Sequence, residues 1–178
     1  LDNWTGEIVV TADQLAAAGD QQSETDREVI AYAHENIRAF ALAQRASAQD
    51  FEVELRPGLL GGQRQIPLSA AGCYVPGGRY SHIASALMTI TTAKAAGVSH
   101  VTACSMPRED GVPAAILYAM HLAGADTVLA LGGVQGVAAM AQGLFGTKPA
   151  DILVGPGNHF VAEANRQLFG PVGIGMFA

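Results

Sequence analysis

Short apolar runs alternate with amphipathic stretches through the second half of the chain. The runs HVTACS, TVLAL and ADILV each end near glycine or proline, and a segment with helical spacing follows each of them. Strands that alternate with helices predict right-handed βαβ units and a mostly parallel sheet. Continuously apolar strands are typical of strands that are buried on both faces. The pattern therefore predicts an α/β fold with an incomplete, Rossmann-like sheet and flanking helices.

A helical pattern occupies residues 11–47. Ile30 and Ile37 recur at helical spacing, with charged residues on the other faces. Thr25 followed by Glu28 is the spacing of a capping box, so we expect the longer helix to begin there.

Residues 51–67 change character, because FEVEL and QRQIPLS are separated by paired glycines. This composition predicts short strands joined by turns, compatible with an antiparallel edge of the sheet. We therefore expect an N-terminal helical segment over residues 1–50 and a Rossmann-like α/β domain over residues 51–178.

Glycine-rich turns recur at one structural position, after a strand and before a helix. They are PGG at 76–78, GG at 132–133 and GPGN at 155–158. Open α/β sheets bind ligands at this carboxyl edge, where helix N-termini present unpaired N–H groups. Asn158 is suited to cap the last helix. Short βα turns also need glycine for purely structural reasons, so the loops alone leave the two interpretations equally open.

Composition and charge argue against nucleic acid and membranes as partners. The net charge of -6 and the absence of a basic stripe argue against nucleic acid as a partner, and the acidic balance is typical of a cytoplasmic enzyme. Cys73 and Cys104 lie in apolar runs and are expected to be buried thiols. The uncharged stretch 127–147 is long enough for a membrane span, but its glycines and glutamines divide it into strand, turn and helix. No membrane partner is expected.

An ordered series of motifs resembles the histidinol dehydrogenase family. It comprises GCYVPGG, ASALMTITTAKAAGVSHVTACSMP, LGGVQGVAAMAQG, DILVGPGNHFVAEANRQLFG and VGIGMFA, and it covers almost the whole chain. Within the family, GGRYSHIASA and WTGEIVVT look like the sulfopropanediol 3-dehydrogenase branch. The chain departs from the family at Gly175, where members commonly carry aspartate.

The resemblance implies an NAD- and zinc-dependent homodimeric enzyme that oxidises a primary alcohol to a carboxylate in two hydride transfers. On the branch likeness, the expected substrate is 2,3-dihydroxypropane-1-sulfonate, oxidised to 3-sulfolactate; the alternative is histidinol, oxidised to histidine. The family's NAD contacts correspond to Tyr74, Gln135 and Asn158, which fall in the three glycine-rich loops. For Tyr74 the likeness favours stacking near the nicotinamide nucleotide over simple core packing.

The resemblance also implies that the zinc ligands and the catalytic Glu-His pair of the family lie C-terminal to Ala178. We therefore expect a piece of a longer enzyme, inactive alone, with neither catalytic nor metal-binding residues of its own. The alternative of another class is a non-catalytic nucleotide- or anion-binding α/β module. His82, with Arg79 and Tyr80, is the best candidate for contacting a sulfonate, although a solvated loop arginine is the simpler interpretation.

Overall fold

The computed structural model describes residues 4–77 and 81–175. Its helices are α1 (Ala12–Ala17), α2 (Glu24–Ser47), α3 (Ile83–Ala86), α4 (Thr92–Ala95), α5 (Ala114–Ala123), α6 (Gly133–Gln142) and α7 (His159–Leu168). Its strands are β1 (Phe51–Arg56), β2 (Leu59–Gln63), β3 (Ala70–Val75), β4 (His100–Ser105), β5 (Thr127–Leu129), β6 (Ile152–Val154) and β7 (Gly173–Ile174). A 3₁₀ turn, Ala18–Gln21, follows α1, and a π-helical segment, Leu87–Thr91, joins α3 to α4.

Within the described residues, five strands form a parallel sheet in the order β5-β4-β3-β6-β7. The chain moves outward from β3 through β4 to β5, and it then returns to the other side of β3 to form β6. The strand order therefore reverses between β3 and β6. Loops that leave two such strands turn in opposite directions, and the crevice between them is the usual ligand position of an open α/β sheet.

Two apolar clusters cover the two faces of this sheet. On one face, Cys73 and Val75 of β3 pack with Leu87, Ile116 and Met120 from the α3–α4 and α5 helices. On the other face, the cluster joins Tyr74 and Cys104 to Val137 and Met140 of α6 and to Val161 of α7. Successive strand residues point to opposite faces, which explains why continuous apolar runs are needed. The predicted α/β class and the parallel sheet are confirmed.

The short antiparallel strands predicted for residues 51–67 are confirmed, but they do not form an edge of the main sheet. β1 and β2 pair with each other as a separate hairpin, and the segment QRQIPLS contributes no strand after Gln63. The edge of the main sheet is covered instead by Val9, which bridges Leu129 in antiparallel orientation. The two-residue turn at Pro57 and Gly58 favours this local pairing, because it places β1 and β2 side by side.

The start of α2 also corrects the sequence prediction. Ser23, and not Thr25, is the N-cap: its hydroxyl accepts the N–H of Asp26 at 3.1 Å and donates to the carboxylate of that residue. A capping box does occur, but at α1, where Thr11 and Gln14 exchange hydrogen bonds. Two candidate hydroxyls two residues apart compete for one cap, and the sequence does not decide between them.

Candidate functional site

The three glycine-rich loops meet in one hollow of about 1040 Å³ at the carboxyl edge of the sheet. Tyr74, Gln135 and Asn158 all line it. The other lining residues come from the same turns and from the loop after β4; they are Pro76, Gly77, His82, Met106, Gly132, Gly133, Val134, Ala138, Pro156, Gly157 and Phe160. A volume of this order is at the upper end of the range for small-molecule and cofactor sites. The structure thus places all three predicted residues at one site, while their contact with a cofactor stays a prediction.

A second concavity, of about 920 Å³, lies at the opposite edge of the sheet. It is bordered by the end of α2, by residues 65–68, which precede β3, and by Val98, which precedes β4. These segments stand before the strands, at their amino ends. Ligands of open α/β sheets bind beyond the carboxyl ends, so the hollow at the glycine loops is the better candidate.

Close backbone packing brings the loops together. A β-carbon at Gly77 would lie 2.7 Å from the carbonyl oxygen of Met106, and one at Gly132 would lie 2.5 Å from the Met106 β-carbon. Contacts this short are not tolerated, so only glycine lets the loops after β3 and β5 pack against the loop between them. Met106 was not identified from the sequence. Its position directly after the last residue of β4 was the available signal, because parallel strands end at the same edge.

Asn158 caps α7 as predicted. Its Oδ1 atom accepts the N–H groups of Phe160 at 3.0 Å and Val161 at 3.1 Å. The cap uses only the oxygen of the amide, so the Nδ2 group stays available to donate to a ligand in the hollow. Phe160 lies at the rim with 61% of its surface exposed, and its ring centroid is 4.0 Å from that of His159.

The electrostatics of the hollow suit a negatively charged ligand. Both α6 and α7 begin at it, and the N-terminus of a helix carries a positive partial charge. No lining residue in the described part of the chain is a carboxylate. A phosphate or pyrophosphate group would therefore meet favourable dipoles without a repelling side chain.

The two thiols, on β3 and β4, are buried and offer no nucleophile to the hollow. Cys73 and Cys104 are both free and buried. Burial raises the pKa of the Cys73 thiol to about 12, and it raises the pKa of Cys104 as well. Thiols that stay protonated at neutral pH are poor nucleophiles and poor metal ligands. The expectation of buried, structural thiols is confirmed.

Of the three residues predicted to contact a sulfonate, the structure describes only His82. His82 lines the hollow, whereas Arg79 and Tyr80 lie outside the described residues. Across residues 4–77 and 81–175, no three His, Cys, Asp or Glu side chains form a group that could hold a metal ion. In the same part of the chain, no helix has the length and apolar character needed to cross a bilayer.

Comparison with known proteins connects this geometry to a family. The family profile "Histidinol dehydrogenase" matches residues 1–178. A "Histidinol dehydrogenase homolog" of Ruegeria pomeroyi is 71% identical over 100% of this chain, and a "Sulfopropanediol 3-dehydrogenase" of the same organism is 57% identical over 100%. The crystal structure of histidinol dehydrogenase from Elizabethkingia anophelis superimposes with a TM-score of 0.90 at 32% identity, over 99% of this chain. The chain spans 41% of the length of each of these three proteins.

Proposed function

Because this chain belongs to the histidinol dehydrogenase family, we propose that it forms the dinucleotide-binding part of an NAD-dependent alcohol dehydrogenase. The observation that supports this role is the single hollow lined by Tyr74, Gln135 and Asn158. The residues present fit the cofactor: two helix N-termini open into the hollow, where they would face the phosphates, and glycines at the loops would allow the backbone to approach them closely.

Each residue has a distinct part in this proposal. Gln135, in the first turn of α6, and Asn158, at the start of α7, supply side-chain amide groups to the hollow. Tyr74 lies at the inner end, where its buried ring fixes the depth of the site. Phe160 and Val134 provide apolar surface for a flat ring. Together they bind and orient the dinucleotide and exclude water from its inner face.

NAD accepts a hydride from the substrate carbon when it is bound. We propose two such oxidations, in which a primary alcohol becomes an aldehyde and then, with one water molecule, a carboxylate. The two rounds consume two NAD⁺ and release two NADH and three protons. We assign the described residues no step in this chemistry beyond holding the cofactor, because among them no three His, Cys, Asp or Glu side chains form a group that could hold a metal ion.

For the substrate, we propose 2,3-dihydroxypropane-1-sulfonate, with histidinol as the alternative. The likeness to a protein named sulfopropanediol 3-dehydrogenase, at 57% identity over the whole chain, supports the sulfonate, since a protein named histidinol dehydrogenase from Methanosarcina barkeri is 47% identical over 75% of the chain. His82 is the described side chain best placed to approach an anionic group at the loop after β3. Zinc dependence, a homodimer and a cytoplasmic location remain proposals for the complete protein.

The cofactor assignment is tested by titrating NAD⁺ into the complete protein and into the Gln135→Ala and Asn158→Ala variants. Loss of one ligand hydrogen bond of about 1 kcal/mol should weaken binding about fivefold in each. Gln142→Ala is the matched control, because Gln142 is an exposed glutamine in the last turn of the same helix and away from the hollow. Unchanged affinity in both test variants would remove the proposed roles. Turnover of the sulfonate against histidinol then decides the substrate.

A further inference from the structure

The side chain of Tyr74 contacts Gly133, the first residue of α6, which follows the second glycine-rich loop. The ring is buried, with 8% of its surface exposed, and it packs in the apolar cluster that includes Cys104 and Val137. Its hydroxyl oxygen accepts the backbone N–H of Gly133 at 3.0 Å. The side chain of a central strand therefore reaches across the sheet edge and holds the first residue of α6.

The same residue also fixes the third loop. A β-carbon at Gly155 would lie 2.0 Å from the carbonyl oxygen of Tyr74, so the backbone after β6 passes directly against the backbone of β3. Tyr74 thus touches the second loop through its hydroxyl and the third through its main chain. Tyr74 also lies one residue before the end of β3, the strand that the first loop follows.

The hydroxyl replaces a missing helix cap. The N-cap of α6 is Gly132, which has no side chain and makes no side-chain capping hydrogen bond. A helix start with unpaired N–H groups loses stability when it is partly buried. Tyr74 satisfies one of these groups from a neighbouring strand, and this leaves the remaining amides of the turn for a ligand.

Gly133, which donates to the Tyr74 hydroxyl, is also close to the side chain of Gln135. Gly133 has a φ of +58°, and the Oε1 atom of Gln135 lies 3.2 Å from the position a β-carbon there would occupy. The glutamine side chain therefore folds back over the residue that Tyr74 holds.

We propose that Tyr74 is a positioning residue of the cofactor site: its hydroxyl fixes the first turn of α6 and thereby orients Gln135. This inference rests on the proposed NAD-binding function. In this role the Tyr74 hydroxyl acts by accepting the backbone N–H of Gly133, and not by contacting the cofactor. The ring edge remains at the inner end of the hollow.

The first test measures the Tyr74–Gly133 contact in the complete protein without ligand. Tyr74→Phe removes only the hydroxyl group, so hydrogen–deuterium exchange in peptides that contain Gly133 should accelerate about five- to tenfold. Tyr118→Phe is the control, because Tyr118 is a half-buried tyrosine of α5 that packs with the other apolar cluster. Exchange near Gly133 that is unchanged in Tyr74→Phe would overturn the proposal.

The second test measures coupling to Gln135. We expect Tyr74→Phe to weaken NAD⁺ binding about fivefold in the wild-type background and less than twofold in the Gln135→Ala background. If the affinity losses of the two single variants multiply in the double variant, the hydroxyl acts on the cofactor independently of Gln135, and the proposal is overturned. Unchanged affinity in Tyr74→Phe alone would also overturn it. If the wild-type protein does not bind NAD⁺, the proposed function fails, whereas the exchange measurement still decides the positioning contact.

Discussion

Gly155 shows how a single residue without a side chain shapes the candidate site. It follows β6, its φ is +118°, and the backbone of Tyr74 lies where its β-carbon would be. Two requirements therefore act at once, a conformation that L side chains rarely adopt and a contact that only a hydrogen fits. The sequence shows the glycine, but it does not show which of these requirements applies.

Replacement of Gly155 by alanine separates the two requirements when it is compared with Gly170→Ala. Gly170 has a φ of +111° and nothing within 4 Å of the β-carbon position, so its substitution costs only backbone strain, about 1–3 kcal/mol. Gly155→Ala should reduce the free energy of unfolding by at least about 2 kcal/mol more, because the Tyr74 carbonyl must move. Urea denaturation of both variants measures the difference. Equal losses would show that the close approach contributes nothing.

At the scale of single residues, the role of Asn158 was predicted from the sequence, whereas that of Met106 was not. The cap at Asn158 follows from local chemistry, because a short polar side chain before a helical pattern accepts N–H groups two and three residues on. The position of Met106 between two glycine loops depends on strands that are distant in sequence. Residue type alone gave no reason to select a methionine.

At the scale of elements, Asp126 ties the end of a helix to two strands. Its Oδ2 atom accepts Lys94 Nζ at 2.5 Å and the N–H of Val101 at 2.6 Å. Burial by itself would raise the pKa of this carboxyl, but the hydrogen bonds from Lys94 and Val101 outweigh it and hold the pKa below its ordinary value. The ionised carboxylate thus stabilises the junction of α4, β4 and the turn before β5 more than the protonated form does.

Asp126→Asn should therefore lower the melting temperature at neutral pH. Asparagine keeps an acceptor for Val101 but loses the charge, and since the Asp126 side chain is 37% exposed we expect a loss of about 1 kcal/mol or less. A depressed folded-state pKa contributes stability above the unfolded value near 3.9, and this contribution is lost as the pH falls through the folded value.

The melting curves of wild type and Asp126→Asn should accordingly converge in acid. Asp20→Asn, at an exposed carboxylate in the 3₁₀ turn, serves as the control and should remain close to wild type throughout. A constant difference between Asp126→Asn and wild type down to the lowest pH that keeps the protein folded would contradict the assignment.

Element types were largely predictable and their partners were not. The strand HVTACS and the helical segment after it were located by apolar spacing, and the structure ends that helix, α5, at Gly124, which has a φ of +89°. The π-helical turn at Leu87–Thr91 was not predictable, because one extra residue per turn hardly changes an apolar pattern. The small strand β7 was also missed, since two residues carry no periodicity.

At the scale of the whole molecule, an N-terminal segment completes the sheet. Val10 donates its N–H to Val128 at 2.9 Å, and Ala130 donates to Ile8 at 2.7 Å, so residues 8–10 cover the edge strand β5. Unpaired edge strands invite association with other chains, and this pairing removes one such edge. The proposed boundary at residue 50 stays a prediction, although Ile30 of α2 packs in the same cluster as the sheet.

Val10→Pro tests this edge pairing. Proline removes the N–H that Val128 accepts, so the free energy of unfolding should fall by about 1–3 kcal/mol. Val9→Pro is the matched control, because in the antiparallel pattern the N–H of the bridged Val9 points away from β5. Chemical denaturation compares the two variants. A loss no larger in Val10→Pro than in Val9→Pro would show that the edge pairing is dispensable.

The sequence by itself determined the kinds of elements, the glycine turns between them and the family, because these depend on local spacing, on backbone freedom and on long ordered motifs. Only the tertiary structure decided that β6 returns to the far side of β3, that Met106 lies between Gly77 and Gly132, and that Tyr74 holds Gly133. The physical reason is one of range. Local pattern fixes what each segment can become, whereas strand order and close approach depend on the packing of segments that the sequence keeps far apart.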